Sequence, residues 1–167
     1  MRINDLMKRF PKGDPPFQVD VRKALDSIIG KDRVYRIPFS RNIDGMLVFI
    51  EGEAFVLINS AQSERRIRWT EAHELAEYFL HKETVYQSVY FSLHAKDILS
   101  EKAVNNLAAE MLMPEFVLKK FFAEFASLGI ERSRQEIITY LSRRFFVSEE
   151  AVEFRLKSLG IFTQLLP

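Results

Sequence analysis

Residues 66–83 read RIRWTEAHELAEYFLHKE. At about 100° of turn per residue, Trp69, Ala72, Leu75, Ala76, Phe79 and Leu80 fall on one broad arc, so the spacing predicts a helix over residues 64–81 with that arc facing a core. His73 and Glu77 stand at the edge of the arc, one turn apart, the separation at which two side chains can grip one ion. Glu74 lies on the flank beside them. The same pair also suits an ordinary helix surface, where a contact one turn apart contributes about 0.2–0.5 kcal/mol. His81 is a further two turns on from His73, about 12 Å along the axis, too far to share an ion and well suited to the negative end of the helix dipole.

A second helix is predicted over residues 101–112, in SEKAVNNLAAEMLMP (100–114). Val104, Leu107, Ala108, Met111 and Leu112 form its apolar stripe, and Glu101 shares that side one turn earlier. If the stripe packs on the first helix, Glu101 completes a set with His73 and Glu77; a glutamate in a first turn is equally what the helix dipole favours. The helical His-Glu-x-x-His pattern holds zinc through its two imidazoles and uses its glutamate as general base. Here His73 and Glu74 occupy the first two positions and Glu77 stands at the last.

Upstream, RVYRIPF (33–39), GMLVFI (45–50) and AFVLIN (54–59) read as strands, with EGE (51–53) as a hairpin turn. Further helices are predicted at 115–127, 134–145 and 149–159. Strands followed by helices is an α+β order, with a small sheet of about three strands. Ser100, Ser133 with Glu136, and Ser148 read as helix starts, and Pro114 and Gly160 as stops. Near the N-terminus, Ile3, Leu6, Met7 and Phe10 recur at helical spacing before PKGDPPF (11–17) breaks the pattern, so the first ten residues read as an arm. A short helix follows, capped by Asp20 and stopped by Gly30.

The chain's 167 residues fit one domain large enough to bury a core without disulfide or metal staples. With 24 basic and 23 acidic residues, no overall field draws it to nucleic acid or a membrane surface. Zero cysteines excludes disulfides, thiolate ligands and a cysteine nucleophile, leaving oxygen and imidazole as metal ligands. No spanning apolar run and no secretory leader is evident, which makes a cytoplasmic location the expectation.

RRIRWTEAHELAEYFLH (65–81) followed by SEKAVNNLAAEMLMP resembles the ImmA/IrrE family of metallopeptidases, as do NIDGMLV (42–48), VLINS (56–60) and VSEEAVEFRLKSLG (147–160). The resemblance implies a zincin-like fold: a small sheet, two active-site helices and a helical C-terminal part. It divides the single domain 1–167 into an N-terminal arm and helix (1–33), the sheet and active-site helices (34–114) and a helical C-terminal subregion (115–167). It further implies Zn2+ held by His73 and Glu101, with Glu77 at the second histidine's position and Glu74 as catalytic base, and a repressor or other regulatory protein as substrate. Ala76 stands where the family usually has glycine.

Carboxylate for imidazole at position 77 takes the formal sum of ion and ligands from +1 to zero, so less positive charge remains to stabilise hydroxide or a peptide oxyanion. Oxygen-rich ligation also makes Mn2+ plausible in place of zinc. The expectation is a metal site whose endopeptidase activity is weak, with a substrate peptide along a sheet edge formed by residues 46–59. Tyr78, Tyr86 and Tyr90 are oxyanion donors by type only, and His94 is a candidate replacement ligand. Two other readings stay open. One is an inactive pseudopeptidase without metal, acting as a protein-binding regulator. The other is a DNA-binding module through residues 134–159, where Arg143, Arg144, Arg155 and Lys157 are offset by Glu149, Glu150 and Glu153.

Overall fold

Alternating apolar residues at 54, 56 and 58 create the strand around which the main sheet is built, because period-two burial puts all three on one face. The computed structural model describes residues 2–13, 16–40, 43–81, 90–91, 98–129 and 132–161, with side chains left aside at 81, 90–91 and 98–100. In chain order the elements are α1 (Ile3–Arg9), β1 (Pro11–Lys12), β2 (Gln18–Val19), α2 (Val21–Leu25), β3 (Val34–Ile37), β4 (Gly45–Ile50), β5 (Glu53–Asn59), α3 (Glu64–His81), β6 (Tyr90–Phe91), α4 (Ile98–Leu112), α5 (Glu115–Ser127), α6 (Arg134–Phe145) and α7 (Glu149–Ser158).

The main sheet has the order β3-β5-β4-β6, with β3 parallel to β5 and the other pairs antiparallel. The expected hairpin is present: Ile50 pairs with Glu53 across a two-residue loop. Glu51 and Gly52 have φ of 52° and 80°, as a type I′ turn requires, which matches the right-handed twist of the strands it joins. β5 is flanked by β3 and β4, and β4 by β5 and β6, so the expected peptide-binding edge at residues 46–59 is corrected: neither strand is an edge of the sheet. Among the described residues, β6 pairs with Val48 and Phe49 of β4.

One face of this sheet, through Leu47, Phe49, Ala54, Val56 and Ile58, joins Ala72, Leu75 and Ala76 of α3 in the core. α3 packs along α4 and against α2. Leu80 was expected on the buried arc but is 43 % exposed. The first ten residues are not an arm: Leu6 and Met7 on α1, and Phe10 after it, are buried in the same core. Their helical spacing gave α1 a buried face rather than a free one.

Other expected helix ends agree with the structure. Asp20 accepts from the Lys23 amide, Ser133 and Glu136 form the reciprocal capping box, and Ser148 accepts from the Ala151 amide. Ser100 is different. α4 begins at Ile98, so Ser100 lies inside its first turn and is not its N-cap.

Buried arginines tie the helices together. Arg68 of α3 donates to the Phe145 and Phe146 carbonyls at the end of α6 and to Gln18 of β2. Arg155 of α7 donates to the Met113 carbonyl and pairs with Glu110, fixing α7 to the end of α4. Burial pulls both guanidiniums down to about 10.

Candidate metal centre

α3 is enclosed by the sheet, α2 and α4, so acidic residues that an isolated helix would leave in water are buried here. Burying a carboxylate is costly unless it is neutralised. Glu71 is neutralised by Arg36 of β3 at 2.8 Å and Arg22 of α2 at 3.5 Å. Glu74 and Glu77, each 4 % exposed, lie further along the same helix.

The helix brings His73, Glu74 and Glu77 together, each with a ligand atom within 4.8 Å of the others. Glu101 arrives from α4, its Oε1 3.9 Å from His73 Nε2. One turn further along α4, Asn105 sits between these two residues. Its Oδ1 is 3.1 Å from His73 Nδ1, and its Nδ2 donates to Glu101 Oε1 at 2.9 Å. Sequence reasoning passed over Asn105, although its position four residues after Glu101 places it on the same helix face.

Negative charge converges on Glu74. Burial, then the adjacent Glu77 carboxylate and a hydrogen bond to it, then Glu101 and Asp44, hold the Glu74 carboxyl well above its ordinary value. Its Oε2 has no hydrogen-bond partner among the described residues. The strand side of the site is shaped by Gly45 at the start of β4. A Cβ placed there would press into Thr70 Cγ2 and lie 2.7 Å from Glu74 Oε1, so only glycine lets β4 approach α3 this closely. Asp44, next to it, is held below its ordinary value by hydrogen bonds from Arg66 and Gln62.

These features fit a divalent cation. An imidazole nitrogen and several carboxylate oxygens converge, one buried oxygen of Glu74 lacks a hydrogen-bond partner among the described residues, and ionisation of the Glu74 carboxyl is disfavoured unless positive charge joins it. Donors that are mostly oxygen suit a hard or borderline ion.

Of the other candidates, Tyr78 stacks on Phe49 with ring centroids 6.3 Å apart, a packing role. His94 and Tyr86 lie outside the described residues, as do the side chains of His81 and Tyr90. The stretch 134–159 presents less basic surface than its sequence implied, because Arg155 is buried against Glu110 and Arg144 covers the Phe17 ring at 3.9 Å.

A helix bearing His-Glu-x-x-Glu, a second helix supplying a glutamate, and a small mixed sheet behind them define a zincin-like α+β scaffold of the metallopeptidase kind. The chain belongs to the M78 peptidase family, matching its IrrE N-terminal-like domain over residues 31–157. No curated protein and no solved structure gives a significant match. The matched span holds the main sheet and the helices from α3 to nearly the end of α7, whereas α1, β1, β2 and α2 precede it. The family is typically metal-dependent, which agrees with the His/Glu/Glu group. Among the described residues, no helix is long and apolar enough to cross a membrane.

Proposed function

We propose that this protein is a cytoplasmic metal-dependent endopeptidase acting on a regulatory protein, a transcriptional repressor in particular, with activity lowered by Glu77. The observation that carries the reading is the meeting of His73, Glu74 and Glu77 on α3 with Glu101 of α4, within a chain of a peptidase family. His73, Glu77 and Glu101 would hold the ion, Zn2+ or Mn2+. When bound, the ion supplies Lewis acidity, polarising a peptide carbonyl and making water easier to deprotonate.

The chain's own groups do the rest. Glu74 accepts a proton from the attacking water and delivers it to the leaving amine, a task suited to a carboxyl whose affinity for protons is raised. An extended peptide would lie beside Glu74 near Gly45, where β4 meets α3. The core around Ala72, Leu75 and Ala76 keeps water from the back of the helix.

A second reading, an inactive protein-binding regulator, is favoured by one contact: the Glu74 carboxyl is hydrogen-bonded to Glu77 and so is engaged where a base should be free. A peptide library incubated with the protein and Zn2+ or Mn2+, read by mass spectrometry, separates the two. Metal-dependent cleavage lost in Glu74→Gln supports the peptidase. No cleavage with either metal, together with partner binding unchanged by Glu74→Gln, supports the regulator.

A further inference from the structure

We infer that Asn105 is a positioning residue that holds His73 in one tautomer, with the proton on Nδ1 and the Nε2 lone pair directed at the site, while also fixing Glu101. The inference follows from donors and acceptors. A carboxylate only accepts, so the Asn105 nitrogen 2.9 Å from Glu101 Oε1 must be the donating NH2 group. That sets the orientation of the amide and turns its carbonyl Oδ1 toward His73 Nδ1, 3.1 Å away. Oδ1 also only accepts, so Nδ1 carries the proton. In a neutral imidazole the other nitrogen is then bare.

That bare nitrogen is Nε2, the atom 3.9 Å from Glu101 Oε1. One amide on α4 therefore arranges two groups at once: the nitrogen of α3 that can bind an ion and the α4 carboxylate beside it. Without Asn105, the imidazole could rotate or shift its proton to Nε2, which would place an N–H where a lone pair is needed. Partners of this kind typically change metal affinity by about 10- to 100-fold when removed. The inference deepens the metal-site reading and rests on it in one respect, that Nε2 is the nitrogen offered to the ion.

The tautomer can be read without metal or activity. Protein labelled with 15N-histidine and stripped with chelator is examined by long-range proton–nitrogen correlation at about pH 9, well above an ordinary imidazole pKa. The chain has three histidines, and His73 is assigned by the signal lost in His73→Ala. The wild type is expected to show a bare Nε2; a proton on Nε2 overturns the inference without recourse to any variant.

Asn105→Leu, close in size but unable to hydrogen-bond, is expected to move the proton toward Nε2 and weaken Zn2+ binding, read by competition with a chromophoric chelator, by about 10- to 100-fold. Asn105→Asp keeps an acceptor and should restore the Nδ1 proton, but it loses the donor to Glu101 and recovers only part of the affinity. If Asn105→Leu leaves both tautomer and affinity unchanged, Asn105 does not position His73. A wild type with bare Nε2 that binds no zinc would refute the metal-site reading while leaving the hold of Asn105 on His73 established.

Discussion

Replacing Gly45 with alanine adds one carbon where β4 meets α3, and two opposing effects decide the outcome. Gly45 does not have a positive φ, so alanine suits its backbone, and restricting the unfolded chain would by itself stabilise the protein by about 0.4–1 kcal/mol. Against this, the new Cβ would overlap Thr70 Cγ2 and lie 2.7 Å from Glu74 Oε1 and 3.2 Å from the Leu57 carbonyl oxygen. A comfortable carbon–oxygen approach is about 3.3 Å, so the Glu74 carboxyl must retreat by roughly 0.6 Å or the strand must lift. Thr70 cannot easily turn aside, because it is β-branched and its hydroxyl donates to the Arg66 carbonyl at 3.0 Å. Overpacking of this kind costs about 1–3 kcal/mol, which outweighs the entropic gain. At this chain length, each kcal/mol moves Tm by about 2–4 °C, giving a net fall of up to about 10 °C by circular dichroism. Metal-dependent peptide cleavage should fall with it, since the base Glu74 is displaced. A Tm equal to or above wild type, with unchanged cleavage, would refute the close approach of β4 to Glu74.

Glu74→Gln keeps the shape of the protonated acid. Because the Glu74 carboxyl is held above its ordinary 4.5, the unfolded chain loses this proton first as pH rises, and wild-type stability falls through that window. The metal-free variant should therefore match wild type near pH 4 and exceed it in Tm at about pH 8; an equal difference at both pH values would contradict the raised carboxyl. Glu77→His should raise the preference for Zn2+ over Mn2+ by about tenfold, or about 1.4 kcal/mol, in competition titrations, and an unchanged ratio would mean that residue 77 does not touch the ion. Arg36→Met removes the closer cation from Glu71, whose side chain is 2 % exposed, leaving Arg22 at 3.5 Å. The expected loss is about 1–3 kcal/mol in urea unfolding, and a loss below about 0.5 kcal/mol would show that the pair contributes little.

Local signals in the sequence carried much of the fold. The helix bounds 64–81, 115–127 and 134–145 coincide with α3, α5 and α6, because capping residues and apolar spacing act within a few residues. The Glu51-Gly52 turn was legible for the same reason. What depends on distant partners was not. That β5 is central follows from pairing between strands 20 or so residues apart, and α1 packs inward because of a core assembled elsewhere in the chain. On α3 the apolar arc was legible, whereas the burial of Glu71 was not, since it depends on arginines at positions 22 and 36. The candidate site divides in the same way. His73, Glu74 and Glu77 are grouped by helix geometry alone, and Glu101 by an assumed packing of two helices. Asn105 and Gly45 came to notice only from atomic contacts.

The most direct measurement is a calorimetric titration of chelator-stripped protein with Zn2+, repeated with His73→Ala. One equivalent bound by the wild type and lost in the variant is the expected result. No binding, or binding that His73→Ala leaves intact, would contradict a metal centre built on His73, Glu77 and Glu101.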